Sequence, residues 1–189
     1  MNTNQARNGT ETREILAETV AIAIVNAPIE KVDLTQWLFT VKDEEYQSFS
    51  KAHIAGGTSF SNKGKRLSIN VEMIADTLLV QHYIEDISSR DHCRVNSVSD
   101  SISPFGKTKM GVTWELTVTK RTNNSCELSN RVILLLTEEF SAAIQTAGIT
   151  DLSPVKQQIS LHAGAHNEEE TPLFARDIER KALSGAWTV

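Results

Sequence analysis

Two of the five histidines in this chain stand four residues apart, in the run His162-Ala163-Gly164-Ala165-His166-Asn167-Glu168-Glu169-Glu170. Residues four apart share a helix face, so the two imidazoles project side by side, and a carboxylate from Glu169 or Glu170 follows one turn on. Imidazole nitrogens at this spacing can share one metal ion, with the carboxylate as third ligand. A fourth ligand is available from residues 78–87, where alternation puts His82 on one face with Leu78, Val80 and Ile84. The candidate metal ligands are therefore His82, His162, His166 and Glu170, with Glu138 and Glu139 as weaker additions. Without metal, His162 and His166 remain candidate catalytic groups, because imidazole titrates near neutral pH and can serve as acid or base. With His82 they could equally donate hydrogen bonds to a ligand's carbonyl or phenol. A histidine on an apolar helix face more often satisfies a local hydrogen bond than a metal, and three consecutive glutamates usually mark a solvated face. Two readings therefore stand at this point, one with zinc as cofactor and one with none.

These groups need elements to position them. The stretch ending at Val25 is apolar and β-branched and stops at Asn26-Ala27-Pro28, which predicts a first strand. Pro28 suits the first turn of a helix over 28–40, and KDEEYQSFSK predicts a short second helix over 42–51. Gly56-Gly57 reads either as a close approach or as a turn before a strand. Strands are predicted over 58–61, 66–74, 78–87, 93–102, 109–121 and 126–137, separated by clusters of Gly, Pro, Asn, Asp and Ser. Such short connections imply an antiparallel meander, because parallel neighbours need a dozen or more connecting residues. Alternation puts Leu67, Ile69, Val71 and Met73 on one face of 66–74, and Val112, Trp114, Leu116 and Val118 on one face of 109–121, each taken as the buried face. From Ser153, a plausible cap ahead of Pro154, a helix of about 31 residues runs to Gly185, with Pro172 as an expected kink. The sequence thus predicts an α+β domain over residues 13–189, with residues 1–12 as a flexible tail.

Composition narrows the function classes. Hydrophobic residues make up 40% and charged residues 23%, as in ordinary globular domains. The net charge of −5, without any dense basic stripe, argues against nucleic acid or an anionic membrane as partner. No apolar run reaches the roughly 20 residues of a membrane span, which points to a cytoplasmic protein. Cys93 and Cys126 read as buried thiols rather than a bridge. Ser101 and Ser103 lack a nucleophile-elbow pattern, and there is no phosphate loop or dinucleotide fingerprint.

The order strand, two helices, six strands, long helix, together with AIVNAPIEKV at residues 23–32, resembles the START/Bet v 1-like (SRPBCC) superfamily, which includes polyketide cyclase-like and lipid-transfer proteins. The resemblance, over most of residues 14–184, implies the helix-grip fold, in which a curved antiparallel sheet wraps a long C-terminal helix around a hydrophobic cavity. Within that superfamily His166 and Glu170 resemble the helix His-x-x-x-Glu pair of the zinc-dependent hydrolases that cleave acylated phloroglucinols. Those enzymes also use strand ligands.

The first reading is therefore a carrier or sensor that holds a small hydrophobic or aromatic metabolite against Val71, Met73, His82, Trp114, Leu116, Ile159 and Leu173. The alternative is a metal-dependent hydrolase, or a cyclase-like enzyme, acting on an aromatic or polyketide-type substrate. A third reading has the acidic helix docking a partner protein. Whether the chain forms a homodimer stays open.

Overall fold

The computed structural model describes residues 14–187; the expected tail, residues 1–12, lies outside them. Strand β1 (Ile15–Val25) leads through a 3-10 turn (Ile29–Lys31) to helices α1 (Leu34–Thr40) and α2 (Asp43–Phe49). Six strands follow: β2 (His53–Phe60), β3 (Arg66–Ile74), β4 (Thr77–Ser88), β5 (His92–Ser103), β6 (Gly106–Thr122) and β7 (Ser125–Leu135). Helices α3 (Glu138–Thr146) and α4 (Ser153–Ser184) complete the chain. All seven strands form one antiparallel sheet in the order β1-β7-β6-β5-β4-β3-β2, so the first two strands occupy opposite edges. α4 lies against the inner face of this sheet, which is the predicted helix-grip architecture.

Local chemistry explains most boundaries. Asp33 caps α1, its side chain accepting from the Gln36 amide at 2.9 Å. α2 opens with Asp43, Glu44 and Glu45, where the helix dipole favours negative charge. Pro154 occupies the first turn of α4, with Leu152 rather than Ser153 as the cap residue, and Gly185 closes it in the left-handed conformation at φ 74°. α4 continues through Pro172. Helix α3, absent from the sequence expectation, is anchored by Phe140 and Ile144 one turn apart and capped by Thr137. It also removes Glu138 and Glu139 from the end of the last strand.

The core is built where the C-terminal half of α4 meets α1, α2 and the central strands. Trp37, Phe49 and Phe174 pack edge-on or tilted, with ring centroids 5.0–6.0 Å apart, beside Leu116, Leu128 and Ile178. Cys93 and Cys126 are free, and burial pushes both thiols up to about 11.

One face assignment is reversed. On β3 the inner residues are Ser68, Asn70 and Glu72, while Leu67, Ile69, Val71 and Met73 look outward. β4 follows suit, with Leu79, Gln81 and Tyr83 inward and His82 and Ile84 outward. Hydrophobic alternation identifies the core face only where that face meets core; here it meets a cleft that needs polar groups.

Candidate metal centre and ligand cleft

Four ionisable side chains converge between α4 and the β2–β3 edge. His166 and Glu170 lie one turn apart on α4, and His53 and Glu72 are direct partners in the β2–β3 ladder. His53 Nε2 stands 3.2 Å from Glu170 Oε2, His166 Nε2 stands 3.4 Å from the same oxygen, and Glu72 Oε2 is 3.8 Å from His166 Nε2. The ligand atoms of His53, His166 and Glu170 all lie within 4.8 Å of one another. Ligands about 2.0–2.2 Å from a tetrahedral zinc stand roughly 3.3–3.6 Å apart, so these separations suit a shared divalent ion.

A second layer fixes how each group points. The Tyr46 carbonyl, which can only accept, takes the His53 Nδ1 proton at 2.7 Å, so His53 turns Nε2 toward the cluster. The Tyr46 ring stacks on His53 at 4.0 Å, and its phenol donates to Glu72 Oε1, leaving Oε2 toward His166. Trp114 Nε1, a donor only, holds Asn130 Oδ1 at 2.8 Å, so the Asn130 amide nitrogen faces outward and donates to Glu170 Oε1 at 3.1 Å. Glu170 Oε2 is thereby also left toward the histidines. His166 Nδ1 lies 3.4 Å from Ser50 Oγ, and its buried Nε2 has no hydrogen-bond partner among the described residues.

Electrostatics give the same direction. Two buried carboxylates face two histidines, so with neutral imidazoles the group carries two negative charges. Burial, reinforced by Glu170, raises the Glu72 carboxyl above its ordinary value against the pull of His166 and His53. Burial works against the His53 imidazolium, yet the hydrogen bond and charge of Glu170, with Glu72, hold it above its ordinary value. The cluster is thus short of positive charge, which a divalent cation or protonated histidines would supply.

Glu72, His166 and Glu170 of the cluster line a cleft of about 800 Å³, its open mouth included, between the sheet and α4, with the His53 side chain buried behind them. Trp114, Phe174, Met110, Val112 and Leu134 give it apolar walls, Tyr46 and Tyr83 bring phenols, and Asn70 and Gln81 bring amides. A second chamber shares Thr77, Met110, Ile159 and His162 with the first and continues toward α3.

The sequence-based candidates divide accordingly. Trp114 and Ile159 line the cleft, as does His162, while His166 and Glu170 sit in the cluster. His162 is outside that cluster, one helical turn before His166, and so is not among the converging ligands. His82 is corrected outright: it is exposed on the outer face, where β4 register puts it opposite Ile69. Val71 and Met73 face outward for the same reason. Leu116 belongs to the closed core, and Leu173 packs against that core beside Phe174, away from the cleft. His53 and Glu72 were missed. His53 precedes the glycines read as a turn, yet β2 begins at His53 and includes Gly56 and Gly57. Glu72 fell on the face taken for solvent.

No family model matches this sequence, and no curated protein matches it. Solved structures do match in shape. The Zhui aromatase/cyclase from a Streptomyces species superposes with a TM-score of 0.63 at 10% identity, over 91% of this chain and 98% of that one. The di-domain aromatase/cyclase StfQ of the steffimycin biosynthetic pathway gives 0.61 at 11% identity, over 88% of this chain and 52% of that one, so this chain spans about half of its length. A protein from Thermus thermophilus gives 0.50 at 13% identity, over 89% and 99%. The chain has the START/Bet v 1-like helix-grip fold. At these identities the likeness defines architecture; the chemistry rests on the cleft.

Proposed function

We propose that this protein is a metal-dependent hydrolase of a small aromatic, polyketide-type substrate, with His53, His166 and Glu170 as the ligands of one divalent cation, most simply zinc, and Glu72 beside the position left open for water. The observation that carries this reading is the convergence of the ligand atoms of His53, His166 and Glu170, with Tyr46 orienting both His53 and the adjacent Glu72 and Asn130 orienting Glu170. Such a cation would polarise a carbonyl oxygen and lower the pKa of a bound water. Trp114 and Phe174 would hold the ring of the substrate, whose carbonyl then lies over the cluster. His162, on the cleft wall one turn from His166, is placed to give or take a proton.

A second reading has its own support. The proton forced onto His53 Nδ1, and the raised pKa of that side chain, also suit an imidazolium–Glu170 ion pair in a metal-free binding pocket. That protein would be a carrier of the same class of ligand.

Elemental analysis separates the two. The purified, untagged protein, offered zinc and then dialysed, is expected to hold one ion per chain and to melt higher for it. His53→Ala and His166→Ala are expected to lose the ion while keeping the wild-type circular dichroism. A wild type that retains no stoichiometric metal would leave the carrier reading in place.

A further inference from the structure

We infer that Gln81 is a hydroxyl-recognising residue of the cleft, selecting ligands that carry a hydroxyl away from the reacting end. The inference rests on the proposed reading of the cleft as the chamber of an aromatic ligand, but not on the metal.

Gln81 is only 3% exposed, lies on the inner face of β4 between Leu79 and Tyr83, and lines the cleft. Its ladder partner on β3 is Asn70, and the next inward pair along is Leu79 with Glu72, so Gln81 stands one pair beyond the ionisable cluster. Its Oε1 is buried and has no hydrogen-bond partner among the described residues. Other buried groups without partners say less. The Ser101 and Thr108 hydroxyls can rotate their protons, and His166 Nε2 belongs to the ionisable cluster. A glutamine oxygen has no proton to turn.

Exchanging the two ends of the amide would change which atom is left over, not that one is left over. A hydroxyl both donates and accepts, so it satisfies either end; an ether oxygen only accepts. A site with such a buried polar group favours the ligand that pairs it and discriminates against the analogue that lacks the group. The cleft that Gln81 lines has Leu79, Met110, Val112 and Trp114 among its walls, apolar enough for a ring, and its remaining amide is that of Asn70. The fitting ligand is thus a hydroxylated aromatic rather than a bare hydrocarbon or an acyl chain.

The test compares naphthalene, 2-methoxynaphthalene, 2-naphthol and 2,7-dihydroxynaphthalene by calorimetry on EDTA-treated wild type and Gln81→Leu. Chelation removes any phenol–metal contact from the comparison. A hydroxylated probe is expected to bind wild type about tenfold or more tighter than naphthalene, with 2-methoxynaphthalene gaining little. In Gln81→Leu that preference should shrink to within about twofold, while naphthalene binds at least as well as before, which also reports an intact cleft. A preference that survives Gln81→Leu, or that is missing from wild type, overturns the inference, as does failure of every probe to bind. Zinc content is read separately on the same preparations. A Gln81-dependent preference in a protein that never loads zinc keeps this inference and removes the hydrolase reading; zinc loading with no Gln81 effect does the reverse.

Discussion

α4 carries two buried charged clusters seven residues apart, about 10 Å along its axis, and they are built on opposite terms. Around Asp177 every charge has its counterpart. Lys181 Nζ lies 2.9 Å from Asp177 and 2.8 Å from Glu45, Arg180 bridges the same two carboxylates, and Trp37 Nε1 donates to Asp177 at 2.9 Å. Two anions face two cations, and burial of Asp177 is outweighed by these bonds, which hold its carboxyl below the ordinary 3.8. Around Glu170 two carboxylates face histidines, one imidazole nitrogen has no hydrogen-bond partner among the described residues, and Glu72 is pushed up rather than down. The first cluster is finished by the chain itself and clamps α4 to α1 and α2. The second is left incomplete toward a cleft, which is where function is to be expected.

The sharpest way to break this contrast is to remove one carboxylate from each cluster. Asp177→Ala should cost about 3 kcal/mol, because it takes the acceptor from the buried Trp37 Nε1 and leaves Lys181 with Glu45 alone. For a chain of this size that is a fall of about 6–12 °C in melting temperature, measured by calorimetry. A fall of only a degree or two would mean that the clamp is solvated.

Next in size is a change at the layer behind the ligands. A Cβ added at Gly56 would come within 2.8 Å of the Tyr46 ring, which stacks on His53 and bonds Glu72. Gly56→Ala should therefore weaken zinc binding about tenfold in competition with a chelator, the usual scale for groups that orient ligands. Unchanged affinity would show that Tyr46 does not set the geometry.

Glu72→Gln should act with the opposite sign to Asp177→Ala. In chelator-treated protein it removes an unbalanced buried charge while Tyr46 keeps an oxygen to bond. A gain in stability is expected, read as a higher melting temperature. Loss of stability instead would show that the histidines already neutralise the site.

The smallest effect is a slope. A carboxyl whose pKa is lowered on folding stabilises the fold above its unfolded value and loses that contribution as pH falls through the folded one. For Asp177 the loss begins near pH 3.8 and grows below it. Asp177→Asn should flatten the melting-temperature profile in that acid range and leave the profile above pH 5 parallel to wild type.

The same contrast explains what was legible in the sequence. His166 and Glu170 could be read because helical spacing alone makes them neighbours, whatever the helix packs against. His53 and Glu72 meet only through strand pairing, and which face of β3 is inward depends on what fills the space above it. On β6 the inner face is apolar both where it meets core, as at Leu116, and where it walls the cleft, as at Trp114, so alternation gave its inward face. On β3 and β4 that space is cleft, so the apolar set Ile69, Val71 and Met73 went outward and Glu72, Asn70 and Gln81 inward. A one-residue change of face exchanged His82 for Gln81. The long C-terminal helix and the antiparallel meander were legible from turn residues and period. α3 was not, since nine residues with two buried anchors carry little periodic signal.

The positions of His53, Glu72, His166 and Glu170 also bear on how the molecule forms. His53 and Glu72 come from one edge of the sheet, whereas His166 and Glu170 arrive with the last helix, more than ninety residues later in the chain. Contacts of that sequence separation close late and slowly. The cleft can take shape only after the meander is complete and α4 has docked. Any ion held among these groups would then join the two ends of the folding sequence, and its escape would be timed by the helix lifting from the sheet.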